Sequence, residues 1–197
     1  MKLSIKLYAL FLFLLSAGPA VAQEKTFLPV DESGKYTFME IGTVKALSKA
    51  ALSANVKRFF KSNSKSLKVV KEEKDSLFSG KGKMVIQKGI GGVGHPSGQA
   101  DYTISIALKD GKYRLLMTDF VITPYQRDRY GNFVPLAVST PLERTPDQLG
   151  KAEWEANMAF IAAESKKIAA RLKTAISTVK PVAADAKKPA TISTTEW

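Results

Sequence analysis

Between residues 102 and 118 apolar and polar side chains alternate without a break. Tyr102, Ile104, Ile106 and Leu108 alternate with Thr103, Ser105 and Ala107. After Asp110-Gly111, the residues Tyr113, Leu115 and Met117 alternate with Arg114, Leu116 and Thr118. A period of two is the signature of a half-buried strand. An Asp-Gly pair between two such runs predicts a tight hairpin, because a type I′ turn needs positive φ at both central positions. The register follows: Lys109 faces Lys112, Leu108 faces Tyr113, Ile106 faces Leu115 and Ile104 faces Met117. These six apolar residues share one face of the sheet and are expected to meet a helix layer. The same register sets Asp119 opposite Tyr102, where its carboxylate can accept a hydrogen bond from a turn or cap a neighbouring element.

The pattern elsewhere predicts fewer but compatible elements. Lys35–Ile41 is rich in aromatic and β-favouring residues and reads as a first strand closed by Gly42. Thr43 is placed to cap a helix over Val44–Ser62, where Leu52, Val56, Phe59 and Phe60 recur at three- and four-residue steps. Leu67–Val70 opens a second strand that runs into Lys71–Lys74. A third lies within Leu77–Lys88, with Gly80 and Gly82 marking a bulge. Gly89–Gly98 reads as a glycine-rich connection. Thr123–Leu149 carries four prolines and reads as irregular, with Tyr130–Asn132 turning a small hairpin between Tyr125–Arg129 and Phe133–Val138. Thr145-Pro146-Asp147 marks a boundary. Lys151–Val179 reads as a long helix striped by Trp154, Met158, Ile161, Ile168, Leu172 and Ile176, stopped by Pro181. The order strand, helix, four strands, helix predicts an α+β fold with helices and a mostly antiparallel sheet in separate layers.

The N-terminus changes the compartment expected. Lys2 and Lys6 precede an apolar run over Tyr8–Leu15, and Ala20-Val21-Ala22 offers the small residues a signal peptidase reads. Residues 1–22 are therefore expected to be a cleaved signal peptide, with 23–179 a single domain and 180–197 a tail rich in Ala, Lys and Thr. The run is too short to span a bilayer, which needs ~20 residues. The chain has no cysteine. That excludes a disulfide framework, a thiol nucleophile and the lipid-bearing residue of a lipoprotein, so the protein is expected to be periplasmic or secreted. The net charge of +12 falls to +10 once Lys2 and Lys6 are removed, and the excess is mostly Lys. Lys is a solvated point charge that favours solubility and non-specific attraction to anionic envelope components over forked phosphate recognition.

The opening segment Phe27-Leu28-Pro29-Val30-Asp31-Glu32-Ser33-Gly34-Lys35 resembles a known family. So do the helix after the first strand and the hairpin through Lys109-Asp110-Gly111-Lys112-Tyr113-Arg114 to Thr118-Asp119-Phe120. Over 27–122 the chain looks like the domain of unknown function 4468 with a TBP-like fold, which occurs in exported proteins of Bacteroidota. The resemblance implies a curved antiparallel sheet of about five strands with two helices packed on one face. It implies no catalytic or ligand residue. Family members often carry a lipoprotein cysteine after the signal, and this chain lacks it. It does not imply the nucleic-acid binding of the TATA-binding protein, since a fold is not a function.

The chemistry-bearing residues give little to an enzyme. Gly89-Ile90-Gly91-Gly92-Val93-Gly94 spells GxGxxG, but a dinucleotide site needs a helix to follow those glycines, and a strand follows here. Its free amides offer at most a weak anion site. His95, the one histidine, has no HxH or HxxxH partner, so no metal site and no nucleophile relay forms around it. Glu143 and Asp147 are the carboxylates left for a glycoside-type pair, and they are candidates by default. Lys68, Lys71, Lys74, Lys81, Lys83 and Lys88, with Tyr102 or Tyr113, could form a basic nucleic-acid face, although Glu72, Glu73 and Asp75 interrupt the run. The best recognition patch is Tyr125, Arg127, Arg129, Tyr130 and Phe133, since Tyr and Arg dominate binding hot spots and loops carry them. The same aromatics can also pin the loop to the sheet. The sequence predicts no catalytic residue, cofactor or metal. It predicts a non-enzymatic envelope module that binds a protein, peptide or anionic glycan but no specific nucleic acid. The alternative is a hydrolase acting on envelope glycan or peptide.

Overall fold

The computed structural model describes residues 27–44, 47–90, 93–144, 147 and 150–178. The expected signal peptide, the mature N-terminus at Gln23, the Thr145-Pro146 boundary, Val179, Pro181 and the 180–197 tail lie outside them.

Five long strands form one antiparallel sheet in the order β1-β5-β4-β3-β2. They are β1 (Phe38–Thr43), β2 (Leu67–Glu73), β3 (Leu77–Ile90), β4 (Val93–Lys109) and β5 (Lys112–Arg127). Two short strands, β6 (Phe133–Pro135) and β7 (Thr140–Pro141), pair with β5. Helix α1 (Lys49–Ser62) follows β1, and α2 (Lys151–Ser177) closes the described chain. This is the expected α+β arrangement.

The Asp110-Gly111 hairpin has the predicted register, with Leu108–Tyr113, Ile106–Leu115 and Ile104–Met117 as partners. All six side chains are buried in one core with Leu52, Val56, Phe59 and Phe60 of α1 and Met158, Ile161, Ile168, Leu172 and Ile176 of α2. The turn of the hairpin is not the expected type I′, because Gly111 takes φ +66° while Asp110 is not at positive φ. At Asp101–Thr103 the register slips, so that Tyr102 opposes both Asp119 and Phe120. Asp119 sits at φ +55° in this bulge, and its carboxylate accepts from Lys35 Nζ. Burial pushes the Tyr102 hydroxyl up to about 12, with Arg171 opposing.

Several boundaries move from their sequence positions, each for a local reason. The first strand starts at Phe38 because Asp31 captures the residues before it. Asp31 Oδ1 accepts from Ser33 N at 2.8 Å and Lys35 N at 3.0 Å, which bends 31–35 into a turn. Gly42 does not end the strand, since Thr43 still pairs with Lys112. Thr43 is therefore not a cap. The helix starts at Lys49, where Ser48 Oγ accepts from Ala51 N at 3.3 Å. The bulge expected at Gly80 and Gly82 belongs to the partner strand, between Val69 and Lys71. The glycines instead make room for rings: a Cβ on Gly82 would lie 2.3 Å from Tyr102 Cζ, and one on Gly42 lies 2.1 Å from Tyr113 Cε1.

The largest correction concerns Gly89–Gly98. It is not a loose connection. β3 and β4 run through it, pairing Lys88 with His95, Gly89 with Gly94 and Ile90 with Val93, and Gly91 and Gly92 lie outside the described residues. The first residues of Thr123–Leu149 are also strand, because β5 continues to Arg127.

Two polar contacts fix the helices. Asn55 of α1 donates through Nδ2 to Ile176 O (2.9 Å) and Thr178 O (3.3 Å), pairing carbonyls that the end of α2 leaves free. Lys57 joins α1 to the β2–β3 turn through Glu72 (2.6 Å) and Asp75 (2.8 Å). Asp75 also accepts from Ser53 Oγ at 3.1 Å. That turn holds Lys74 and Asp75 at positive φ, 42° and 53°, without a glycine.

Candidate functional site

Three surfaces carry the residues singled out in the sequence. The first is the far tip of the sheet, where β5 turns into β6. Asp128 builds the turn: its Oδ1 accepts from Tyr130 N and Asn132 N, both at 2.8 Å, and Gly131 takes φ +83°. Burial tends to raise the Asp128 carboxyl, but the bonds from Asn132 and Tyr130 outweigh it and hold it below its ordinary value. On this frame Arg127 lies 5.0 Å over the Phe133 ring and Arg129 lies 4.7 Å over the Tyr130 ring. Tyr130 is 73% exposed.

The five expected residues do not act alike. Tyr125 donates its hydroxyl to Gln99 Oε1 at 2.9 Å and anchors the tip to β4. Phe133 is half-buried and stacks on His95, with ring centroids 5.0 Å apart and planes within 5°. Arg127, Arg129 and Tyr130 are exposed. His95, which the sequence set in a loop, thus belongs to the tip. The pair Gly91-Gly92 between Ile90 and Val93 was the sequence signal for it, since two glycines between apolar residues mark a hairpin.

The second surface is a groove of about 460 Å³ beside the start of α2, floored by Ile122, Pro124, Pro141 and Trp154. Arg144, Asp147 and Glu153 stand on its rim. Its carboxylates have local duties. Asp147 Oδ1 accepts from Gly150 N at 3.0 Å at the foot of α2, and Glu153 faces Lys88 at 3.6 Å. Glu143 accepts from Tyr36 N at 3.1 Å. GxGxxG leads into β4 rather than a helix, so its glycines cannot present a pyrophosphate to a helix N-terminus. Among the described residues no three His, Asp or Glu side chains are grouped to hold a metal ion.

The third surface is the sheet face away from the helices. Period-two parity settles which residues reach it. Lys68 opposes Lys81, and Lys83 opposes Asp101, all on this open face. Tyr102 and Tyr113 are buried on the other face, so the proposed basic face lined by aromatics does not form. Lys71 pairs with Glu73 and Lys88 with Glu153, which splits the six lysines further. At the opposite end of the open face lie Met39, Ile41, Lys109, Lys112 and Arg114, which the sequence analysis did not single out as a site.

No helix among the described residues is long and apolar enough to cross a membrane. No curated protein matches the chain. A crystal structure of a TBP-like protein from Parabacteroides distasonis ATCC 8503 is similar in fold, with a TM-score of 0.53 at 14% identity. The match covers 77% of this chain and 98% of that one. A crystal structure of a DUF4468 family protein from Bacteroides ovatus ATCC 8483 gives a TM-score of 0.54 at 14% identity, covering 78% of this chain and 94% of that one. At that identity the likeness establishes the fold. The strand order and the two-helix layer agree with that fold, and residues 44–123 match the sequence model of the domain of unknown function (DUF4468) with TBP-like fold.

Proposed function

We propose that this protein is an exported, non-enzymatic binding module that engages an envelope protein, peptide or anionic glycan through the β5–β6 tip. The observation that carries the reading is Tyr130, 73% exposed beneath the Arg129 guanidinium on a turn whose backbone Asp128 holds in place. An exposed aromatic on a rigid frame loses little conformational freedom on binding, and Tyr and Arg are the residue types that dominate hot spots. Arg127 and Phe133 extend the surface, and His95 braces it from β4. Export rests on the charged, apolar and small-residue succession of residues 1–22. The alternative of a hydrolase would place its acid and base in the groove beside α2, where Asp147 already holds a backbone amide and Glu153 faces a lysine.

The test is capture from native envelope extract by immobilised residues 23–197, beside an Arg129→Ala/Tyr130→Ala variant, with washes at high salt. The expected result is a component retained by the parent and lost by the variant. Retention by both, or release of everything by salt, refutes the tip as the binding surface.

A further inference from the structure

The two outer strands of the sheet are built differently. β2 carries Lys68, Lys71, Glu72 and Glu73 and a bulge at Val69–Lys71, the devices that keep an edge from pairing. β1 reads Phe-Met-Glu-Ile-Gly-Thr, with no lysine, no proline and an unbroken register. Among the described residues it pairs with β5 alone. Val44 N donates to Gly111 O at 2.8 Å, and alternation from there turns the N–H and C=O groups of Met39, Ile41 and Thr43 outward. The side chains of Met39 and Ile41 are 56% and 64% exposed on the open face.

Beside this edge is a concentration of one charge. Lys109, Lys112 and Arg114 surround a shallow hollow of about 430 Å³ that also borders Ile41 and Ala107. None of the three forms an ion pair among the described residues. Lys112 lies opposite Thr43 and Arg114 opposite Ile41. A strand added to β1 would lie ~10 Å from β5, within joint reach of a glutamate and these long basic side chains. A second copy would bring the same cations to both sides of the seam, so charge selects a different occupant. We propose that the β1 edge binds an extended acidic segment of a partner polypeptide as an added strand, its carboxylates meeting Lys109, Lys112 and Arg114. Main-chain bonds supply the affinity and the cations the choice of sequence. This site is separate from the β5–β6 tip and does not depend on it.

The experiment uses ¹⁵N-labelled residues 23–197 and the peptide acetyl-Thr-Glu-Thr-Glu-Thr-Ile-Thr-amide, which sets two glutamates and one isoleucine on one face. At about 1 mM peptide the amides of Met39, Ile41 and Thr43 are expected to shift most. Ile41→Pro removes one outward donor and leaves the β5 ladder intact, and it should abolish the shifts. Lys112→Glu/Arg114→Glu should weaken binding at least about tenfold. Should Ile41→Pro perturb the β4–β5 amides, a peptide N-methylated at alternate residues makes the same test and should not bind. The proposal is overturned by shifts that spare β1, by equal binding of the N-methylated peptide, or by undiminished binding to the charge-reversed protein. Shifts at β1 that grow with protein concentration alone would overturn it in favour of a second copy.

Discussion

Gly42 and Tyr113 face each other across β1 and β5, and replacing the glycine by alanine tests the packing directly. The added Cβ would lie 2.1 Å from Tyr113 Cε1 and 2.3 Å from Cζ. Ordinary contact begins near 3.4 Å, so the ring must retreat by about 1.3 Å. It has nowhere free to go, because Tyr113 is 2% exposed and its hydroxyl donates to Glu40 at 3.1 Å. Overpacking of this kind costs about 1–3 kcal/mol. Losing the Glu40 bond adds about 1 kcal/mol. Against this, alanine restricts the unfolded chain and returns about 0.4–1 kcal/mol. The clash wins, and Gly42→Ala is expected to destabilise the fold by about 2–3 kcal/mol. With a urea slope near 2 kcal/mol/M, the denaturation midpoint should fall by about 1–1.5 M. Tyr113→Leu removes the ring and is destabilising alone, but in the Gly42→Ala background the new methyl occupies part of the vacated space. The double variant should therefore be more stable than the sum of the singles by at least about 1 kcal/mol. A neutral Gly42→Ala, or additive variants, would refute the account of the pair as one packing unit.

Four further outcomes follow from other contacts. Ser165 Oγ is buried on α2 and has no hydrogen-bond partner among the described residues, so Ser165→Ala should raise stability by about 1 kcal/mol in urea unfolding. Asn55→Ala leaves the carbonyls at the end of α2 unpaired; it should cost about 1–3 kcal/mol and speed hydrogen exchange in the last turn of that helix. Asp31 is lowered to about 2, chiefly by the Ser33 hydroxyl and the Lys35 amide. A depressed carboxylate stabilises the fold above its unfolded value near 3.8 and loses that effect as pH falls toward 2. Asp31→Asn should remove this part of the acid dependence, followed by NMR across the Asp31–Lys35 turn. Burial, with Glu40 adding to it, pushes the Tyr113 hydroxyl up to about 12. Tyr102 behaves alike, so their contribution is complete below about pH 10 and is lost between 10 and 12. Ultraviolet titration should show a late-ionising tyrosine component that Tyr102→Phe or Tyr113→Phe diminishes.

What the sequence displayed and what it hid follow from locality. The register of the Asp110-Gly111 hairpin was legible to the residue because the alternation there is unbroken, whereas the turn type was not, since Gly111 alone of the pair takes a positive φ. The stripe of α2 was legible from its periodicity as well. The distal half of the β3–β4 pair was not, since Gly89–Gly98 has no alternation and its order comes from contacts such as His95 on Phe133, distant in sequence. The start of α1 was misplaced because Thr43 and Ser48 are both good caps, and pairing of Thr43 with Lys112 decided between them. The tip residues were visible as types, but their division into the anchors Tyr125 and Phe133 and the free pair Arg129 and Tyr130 depends on Gln99 and His95. The cations beside β1 went unnoticed although Lys109, Lys112 and Arg114 sit on one hairpin, because only the distant pairing of β1 with β5 sets them beside Ile41.

The asymmetry between the two outer strands also limits assembly. Growth of a sheet from molecule to molecule needs two compatible sides on every unit, one to receive and one to offer. This sheet has a receptive side at β1 and, at β2, a side blocked by charge and a bulge. A strand received at β1 therefore finds, among the described residues, no matching offer at β2 through which the same pairing could be passed on. The two outer strands are unlike, and head-to-tail growth of the sheet through them is disfavoured.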